Sequence, residues 1–210
     1  MCTQHSLPIC ACAHVKMDVF SVYNAVGQVP VVHTLPESGP VRGVTSLADE
    51  VYVLRGKERD QVEVEVYDDS SYRLQRRLTV PNIRGVTDMT SCEHYRCVYI
   101  ADDGECMHRL DVQGAFTHWA VNDKPWGISV NAAHNVLVTC YEVRTIKEFS
   151  SHGDILRELT LPDDLINPWD SIQTSNGEFI VCHGLMRSSG SVSSRSISPC
   201  ELNSLIVRTS

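Results

Sequence analysis

The stretch Arg42-Gly43-Val44-Thr45 returns letter for letter as Arg84-Gly85-Val86-Thr87, and this recurrence decides how the rest of the chain is interpreted. The same slot is filled by Trp126-Gly127-Ile128 and then by Trp169-Asp170-Ser171-Ile172, so that successive copies lie 42, 42 and 43 residues apart. A fixed period in this range is typical of repeat architectures. We therefore expect Gly43, Gly85 and Gly127 to occupy matching places in successive structural units.

The copy between Lys124 and Asp163 shows most clearly what one unit contains. Short runs in which apolar and polar residues alternate, or which are rich in β-branched residues, predict strands. In this copy the runs are Gly127–Val130, Asn135–Cys140, Thr145–Phe149 and Ile155–Leu161. Turn-forming residues separate them. Four antiparallel strands in a repeat of about 42 residues form the blade of a β-propeller.

The remaining copies follow the same plan, so the sequence predicts an all-β fold of four-stranded antiparallel blades. Full blades are expected at residues 41–82, 83–123 and 124–167, with partial blades at 17–40 and 168–184. The other predicted strands are Asp18–Tyr23, Val31–Leu35, Gly43–Leu47, Glu50–Leu54, Gln61–Tyr67, Tyr72–Val80, Gly85–Thr90, Arg96–Ile100, Cys106–Asp111, Ala115–Val121, Asp170–Gln173 and Glu178–Cys182.

Several motifs of the third full repeat resemble the NHL repeat of β-propellers, as found in tripartite-motif NHL proteins. Pro125–Val130 matches the step Pro-x-Gly-Ile-x-Val of that repeat, and Asn135–Val138 is similar to its step Asn-x-apolar-x-Val, with the valine one residue earlier. Ile146–Phe149, followed by Gly153, matches the step apolar-x-x-Phe and the glycine that comes after it. The resemblance implies the type of blade and does not identify a particular protein.

The second full repeat adds Tyr99–Asp102 and His108–Arg109, which are similar to the Tyr-Val-Ala-Asp and His-Arg steps of the NHL repeat. The first repeat departs from the pattern, because Leu54–Lys57 stands where Ala-Asp would be expected. The resemblance covers residues 41–184, and NHL propellers usually have six blades. We therefore expect a partial or open propeller, with a closed four-bladed ring formed by the two partial blades as the alternative.

The ends of the chain lack the repeat pattern. Residues 1–16 are left unassigned, and the serine-rich residues 185–210 are predicted to form a disordered tail. Near the N-terminus, cysteine and histidine could ligate zinc in principle, but their spacing fits no paired-knuckle arrangement, so no metal site is predicted. These residues are Cys2, His5, Cys10, Cys12 and His14.

The overall composition limits the classes of partner. The chain of 210 residues carries 26 acidic and 18 basic side chains, and a net charge of −8 opposes general attraction to nucleic acid or acidic lipid. No apolar run approaches the roughly 18 residues needed to span a bilayer. Nine irregularly spaced cysteines suit reduced thiols better than a disulfide framework, which predicts a cytoplasmic location.

Binding residues are expected on one face of the propeller. Loops that join blades, and loops that join second to third strands, open on this loop face, where ligands usually bind. Arginine and tryptophan are the side chains most enriched at binding hot spots. The candidate binding residues are Arg42, Arg55, Arg84, Asp102, Trp126, Tyr141, Glu142, Trp169 and His183. Two alternatives stay open: the tryptophans could fill wedges between blades, and Arg42 and Arg84 could pair with neighbouring carboxylates.

Motifs of enzyme chemistry give no support to a catalytic function. The sequence has no Gly-x-Ser-x-Gly, Walker-type loop or His-Glu-x-x-His, so no catalytic residue and no cofactor is predicted. A calcium-dependent propeller hydrolase of the lactonase kind needs Asp, Glu or Asn from at least three inner strands. Here Asp88 and Asp170 are offered, whereas the other copies supply Ser46 and Ser129.

These observations favour a non-enzymatic recognition module that binds a protein or peptide through the loop face. RNA binding is the first alternative, because NHL propellers in some tripartite-motif proteins bind RNA. It would require a contiguous basic patch of Arg42, Arg55, Lys57, Arg59 and Arg84. The calcium-dependent hydrolase is the second alternative. Neither a membrane nor a nucleotide cofactor is expected as a partner.

Overall fold

A computed structural model describes residues 19–22, 31–34, 40–56, 62–163, 165, 167–183 and 203–207. This part of the chain contains seventeen strands and no helix. Accordingly, no helix in it is long and apolar enough to cross a membrane. The expected residue-level features at residues 1–16, at Lys57 and Arg59, and at 187–199 lie outside the described residues.

Three sheets have four antiparallel strands each, and in each sheet the strands pair in chain order. Blade 1 comprises β3 (Val41–Leu47), β4 (Glu50–Gly56), β5 (Val62–Asp68) and β6 (Leu74–Val80). Blade 2 comprises β7 (Val86–Cys92), β8 (Cys97–Asp102), β9 (Cys106–Asp111) and β10 (Phe116–Ala120). Blade 3 comprises β11 (Pro125–Val130), β12 (Val136–Cys140), β13 (Thr145–Phe149) and β14 (Ile155–Thr160).

Two smaller sheets flank the three full blades. At one end, β1 (Val19–Val22) pairs with β2 (Val31–Thr34). At the other end, blade 4 comprises β15 (Pro168–Gln173), β16 (Phe179–His183) and β17 (Asn203–Val207). The prediction of an all-β, partial or open propeller is confirmed, because three of the five described sheets are four-stranded antiparallel blades and no described sheet is closed.

The alternative of a closed four-bladed ring and the expected disordered tail both disagree with the described residues. The partial blades do not pair with each other to close a four-bladed ring, because β1 and β2 form a sheet of their own. The predicted disordered tail includes a strand, since Asn203–Val207 pairs along the whole of β16. Without β17, the backbone groups on that edge of β16 would lack partners, and an unpaired edge is costly.

Burial explains why the blades stack. Every residue of β8 and β12 is buried, whereas the fourth strands β6, β10 and β14 are largely exposed. Fully buried strands read as continuous runs of β-branched and other apolar residues, and the runs Cys97–Ala101 and Val136–Val138 have this composition. The central strands therefore bury both of their faces, and a blade cannot hide its apolar surface without its neighbours.

The hydrophobic core lies between adjacent blades. Leu54 of blade 1 packs in one cluster with Met89 and Ile100 of blade 2. Blades 2 and 3 share a second cluster, and Leu137 of blade 3 packs with Phe179 of blade 4 in a third. The first strands β3, β7, β11 and β15 contact one another in that order. Successive blades are thus joined face to face, with the first strands on the inner side.

A β-bulge recurs near the beginning of each first strand. Strand pairing skips one residue in β3, β7, β11 and β15, and these unpaired residues are Arg42, Thr87, Trp126 and Trp169. A bulge bends its strand and turns the side chain of the extra residue away from the regular alternation. The first strand of each of the four blades therefore has a bulge near its beginning.

The bulge register corrects the alignment that the sequence repeat suggests. The residues that follow the bulges are Gly43, Asp88, Gly127 and Asp170, so these four positions are equivalent. Gly85 lies before β7 and matches none of them. The prediction that Gly43 and Gly85 occupy matching places is therefore wrong, whereas the equivalence of Trp126 and Trp169 holds.

Hydrogen bonds explain why the second copy of the motif is displaced. The backbone N–H groups of Arg84 and Gly85 donate to the carboxylate of Asp102, at 3.1 and 3.0 Å from Oδ1. The carbonyl of Gly85 accepts from the N–H of Asp103, as the carbonyl of Pro40 does from Gly56 in blade 1. The second Arg-Gly pair thus belongs to the connection between blades and not to the strand.

We predict that Gly127→Ala destabilises the fold strongly. A Cβ at this position would lie 2.8 Å from Asp170 Cα and would also meet the carbonyl oxygen of Trp169, which are backbone atoms that cannot rotate away. Such overpacking costs about 3 kcal/mol, at the upper end of the usual range, because backbone atoms are met. Urea unfolding of the variant measures the loss.

The matched control for this prediction is Gly43→Ala at the equivalent position of blade 1. There the new Cβ would lie 3.0 Å from Met89 Cβ, a side-chain atom. We expect a smaller loss, of about 1 kcal/mol, because this one contact at 3.0 Å needs only a small shift, whereas the new Cβ at Gly127 would meet several atoms at shorter distances. Equal unfolding free energies for the two variants would contradict the close approach of β11 and β15.

Candidate binding site on the loop face

A cleft of about 560 Å³ opens on the loop face between blades 1, 2 and 3. It lies where first strands begin, second strands end and blades are joined, as expected for this face. Three of the four bulged residues contribute to it. Its lining residues are Arg42, Gly56, Val62, Arg84, Gly85, Val86, Thr87, Asp103, Lys124 and Trp126.

Two arginines of the cleft have guanidinium groups that are unpaired within the described residues. Arg42 and Arg84 are both exposed, and within the described residues neither side chain makes a hydrogen bond or an ion pair. The alternative in which they pair with neighbouring carboxylates therefore finds no support among these residues. An unpaired guanidinium presents five N–H donors in a planar fork, which suits carboxylate and phosphate groups.

The stems of these arginines lie against glycines. A Cβ on Gly56 would meet Arg42 Nε at 3.2 Å and Cγ at 3.4 Å. In the same way, a Cβ on Gly104 would meet Arg84 Cδ at 3.2 Å. Glycine at these two positions leaves room for each arginine to lie along the backbone, so the guanidinium is carried towards the cleft.

The third cation of the cleft is partly neutralised. Lys124 Nζ lies 2.8 Å from Asp103 Oδ1, and both residues are cleft-lining. The ion pair is the principal reason why the pKa of Lys124 is raised above its ordinary value. Because both side chains of this pair are partly exposed, the pair orients the lysine more than it stabilises the fold.

Trp126 forms the apolar part of the cleft. Its ring is half-buried and packs against Tyr141, with ring centroids 5.4 Å apart, and against Trp169 at 5.8 Å in an edge-on arrangement. The two tryptophans thus join blades 3 and 4, and Trp126 also reaches the cleft. Both interpretations of the tryptophans apply in part, since the indole fills an inter-blade wedge and lines the loop face.

Two of the candidate binding residues are buried instead. Arg55 is 0 % exposed and pairs with Glu65 at 2.7 Å inside blade 1. Asp102, 2 % exposed, accepts from the backbone of the turn that carries Arg84 and lies 3.2 Å from His108 Nε2. Burial alone would raise the pKa of Asp102, but these hydrogen bonds hold it below its ordinary value. Both side chains hold the loop face in place and do not line it.

The other candidates are not among the residues that line the cleft. Tyr141 is half-buried beneath Trp126, and Glu142 is exposed in the turn between β12 and β13. His183 ends β16 opposite Pro168 and is half-buried. Sequence reasoning missed Thr87, Asp103 and Lys124, as well as the two glycines. Lys124 could have been found, because it lies two residues before Trp126 in the same connection, whereas the bulge at Thr87 leaves no mark in the sequence.

Two inward carboxyl groups, Asp88 and Asp170, stand on either side of Gly127. Asp88 Oδ2 accepts from the N–H of Ile128 at 2.9 Å, which links blade 2 to blade 3, and Asp170 Oδ1 accepts from Ser171 at 2.7 Å. Burial raises the pKa of Asp88 to about 7, and the nearby Asp170 adds to the rise. Burial also raises the pKa of Asp170.

These carboxyls do not form the ligand set that a propeller calcium site requires. The equivalent positions of blades 1 and 3 are Gly43 and Gly127, which supply no oxygen from a side chain. Among the described residues, no group of three or more His, Cys, Asp or Glu could hold a metal ion. Asp88 and Asp170 are instead two buried carboxyl groups with raised pKa values, near the interfaces between blades.

Comparison with known proteins supports the fold. Neither a protein-family model nor a curated protein sequence matches the chain. Among solved structures, it is similar to a catalytically inactive virginiamycin B lyase from Staphylococcus aureus with quinupristin, at 16 % identity and a TM-score of 0.65, over 97 % of this chain and 71 % of that one.

A second similar structure is the Swd1 β-propeller domain of Myceliophteria thermophila, at 12 % identity and a TM-score of 0.62, over 82 % of this chain and 62 % of that one. A functionally unknown protein from Desulfotomaculum acetoxidans matches at 10 % identity and a TM-score of 0.62, over 83 % and 62 % of the two chains. At these identities the likeness shows the propeller fold alone. The chain spans between 49 % and 71 % of the length of the solved structures it resembles.

We predict that Asp88 makes the fold less stable as the pH rises. The folded chain keeps a proton on Asp88 up to about pH 7, whereas the unfolded chain loses it near the ordinary value of 3.8. Stability therefore falls through this window, since the folded state binds more protons. Asp88→Asn should remove about 2 to 3 kcal/mol of the fall between about pH 4.5 and 7.5.

The measurement is urea unfolding at several pH values. The control is Asp49→Asn, which changes an exposed carboxyl in the turn after β3 and should follow the parent curve. Parallel curves for Asp88→Asn and the parent would show that Asp88 is already ionised in the folded chain near pH 4.

Proposed function

We propose that this chain is a non-enzymatic recognition module, and that a protein or peptide partner binds in the loop-face cleft. The observation that carries the proposal is the composition of the cleft, in which two unpaired guanidinium groups and a half-buried indole share one cavity. Arginine and tryptophan dominate the energetics of binding hot spots. Arg42, Arg84 and Trp126 are the residues that we assign to the contact.

The surroundings of these residues are prepared for binding. Trp126 is held between Tyr141 and Trp169, so its ring loses little freedom when a partner packs on it. The arginine stems are held against Gly56 and Gly104. A side chain that is already ordered costs less entropy on association, which favours a specific contact over a weak one.

An enzymatic role is the competitor, because a lyase is among the similar structures. Its fold alone is shared at 16 % identity, so no activity carries over from it. Of the two carboxyls with raised pKa, Asp88 accepts from the backbone of Ile128 in the next blade, whereas Asp170 accepts from Ser171 in its own strand. The placement of Asp88 supports a role in joining blades 2 and 3.

RNA binding has weaker support. It would need a contiguous basic patch, but Arg55 is buried in an ion pair. Arg42, Arg84 and Lys124 remain as the described cations of the cleft. The net charge of −8 repels a phosphodiester backbone elsewhere on the surface.

We further propose that the blades are of the NHL type and that the protein is cytoplasmic. In support of the latter, the cysteines Cys92, Cys97, Cys106, Cys140 and Cys182 are free.

We expect Arg42→Ala, Arg84→Ala and Trp126→Ala to lose a partner that the parent chain captures from an extract of the cells that express it. Each change removes a hot-spot side chain and should weaken binding by about 2 kcal/mol, or roughly thirtyfold. The captured protein is identified by mass spectrometry, and its affinity for purified parent and variants is then measured by calorimetry.

The matched control is Arg73→Ala, an exposed arginine in the turn between β5 and β6, away from the cleft. It should bind like the parent. Thermal melts separate loss of contact from loss of fold for Trp126→Ala, which is half-buried. Unchanged affinity in both arginine variants would contradict the proposal, and capture that depends on intact RNA would favour the nucleic-acid alternative.

A further inference from the structure

The charge of the cleft differs in sign from that of the whole protein. Among the described residues, the charged lining residues are Arg42, Arg84 and Lys124 on the positive side and Asp103 on the negative side, a net charge of +2. The full chain carries −8. A positive concavity in an acidic protein focuses the field at one place and attracts a compact anion there. The excess of two charges matches a ligand group with two negative charges.

The chemistry of the cations narrows the class of that group. The excess charge resides on Arg42 and Arg84, because Lys124 is paired with Asp103 at 2.8 Å. Guanidinium groups bind oxyanions bidentately, and clusters of arginine are the usual readers of phosphorylated side chains. A phosphate monoester carries close to two negative charges at neutral pH and offers three strong acceptor oxygens. A carboxylate or a phosphodiester offers one charge.

We infer that the loop-face cleft binds a phosphate monoester on a side chain of the peptide partner. Arg42 and Arg84 contact its oxygens from blades 1 and 2, and the carbon chain that carries the phosphate packs on Trp126. Gly56 and Gly104 act as positioning residues, because a Cβ at either position would come within 3.2 Å of the arginine stem and push it aside. The inference rests on the proposed function, since it names the chemistry that the same cleft recognises.

Inorganic phosphate and sulfate are the first probes. The second proton of inorganic phosphate leaves near neutral pH, about one unit above that of a phosphate monoester. Because the cleft binds the dianion, phosphate binding measured by NMR titration should strengthen by at least about tenfold between about pH 5.5 and 7.5. Sulfate has the same shape and stays doubly charged throughout, so its binding should not change. Phosphate binding that follows the flat profile of sulfate would overturn the inference.

The variants test which residues hold the anion. Arg42→Ala and Arg84→Ala should each weaken phosphate binding by at least about tenfold, the loss expected for a charge-assisted hydrogen bond. Arg73→Ala should have no effect. Gly56→Ala should also weaken binding while the melting temperature stays near that of the parent, because its methyl group displaces a flexible side chain. Phosphate binding that survives in both arginine variants would contradict the assignment.

Three short peptides distinguish the inference from the proposed function. One carries a phosphoserine, the second has an unmodified serine and the third has a glutamate in its place. We expect at least about tenfold tighter binding of the first than of the other two. Equal binding of the phosphoserine and glutamate peptides would overturn the inference. If the partner identified by capture binds through Arg42, Arg84 and Trp126 without being phosphorylated, the inference fails and the proposed function stands.

Discussion

The bulge near the beginning of each first strand is the constraint on which the candidate site depends. In four successive sheets one residue is left out of the ladder, and Arg42, Thr87 and Trp126, the first three of these residues, line the same cleft. In a regular strand, alternation would direct side chains only towards the two faces of the sheet, where neighbouring blades cover them. The bulge redirects a side chain to the end of the blade. A repeated backbone irregularity thus places different chemistry at each blade of a uniform scaffold.

The inter-blade contacts give this scaffold its rigidity and also its sensitivity to pH. The central strands bury both faces, so each blade depends on its neighbours for its core. Close to the bulges, the carboxyl of Asp88 accepts a hydrogen bond from Ile128 across the interface, and Gly127 allows β15 to approach. Asp88 is costly to ionise there. The cleft therefore lies on interfaces between blades whose stability depends on the protonation of Asp88. The residues that we expect to contact a ligand, Arg42 and Arg84, are exposed arginines of the cleft.

Much of the fold could be predicted from the sequence, because alternation and turn residues report strands directly. The strand Thr145–Phe149 was predicted to the residue, and most other boundaries differ by one or two. The contacts between strands were harder to predict from the sequence. Identical letters placed Gly85 with Gly43, yet Asp102 draws the second copy into a connection. Arg55 looked like a surface cation, but Glu65, ten residues away, buries it in an ion pair. The sequence does not reveal Asn203–Val207 as a strand, because its partner β16 ends twenty residues earlier, before the serine-rich stretch.

Cross-strand nuclear Overhauser effects in blade 2 give the most direct test of the central claim, that a bulge presents one residue of each first strand to the loop face. The structure pairs Val86 with Asp102 and Asp88 with Ala101, and it leaves Thr87 without a partner. We predict contacts between the backbone protons of Asp88 and Ala101 and between those of Met89 and Ile100, with none that place Thr87 opposite a residue of β8. Contacts that place Gly85 opposite Ala101 would contradict the account, because the repeated letters and not the bulge would then set the register.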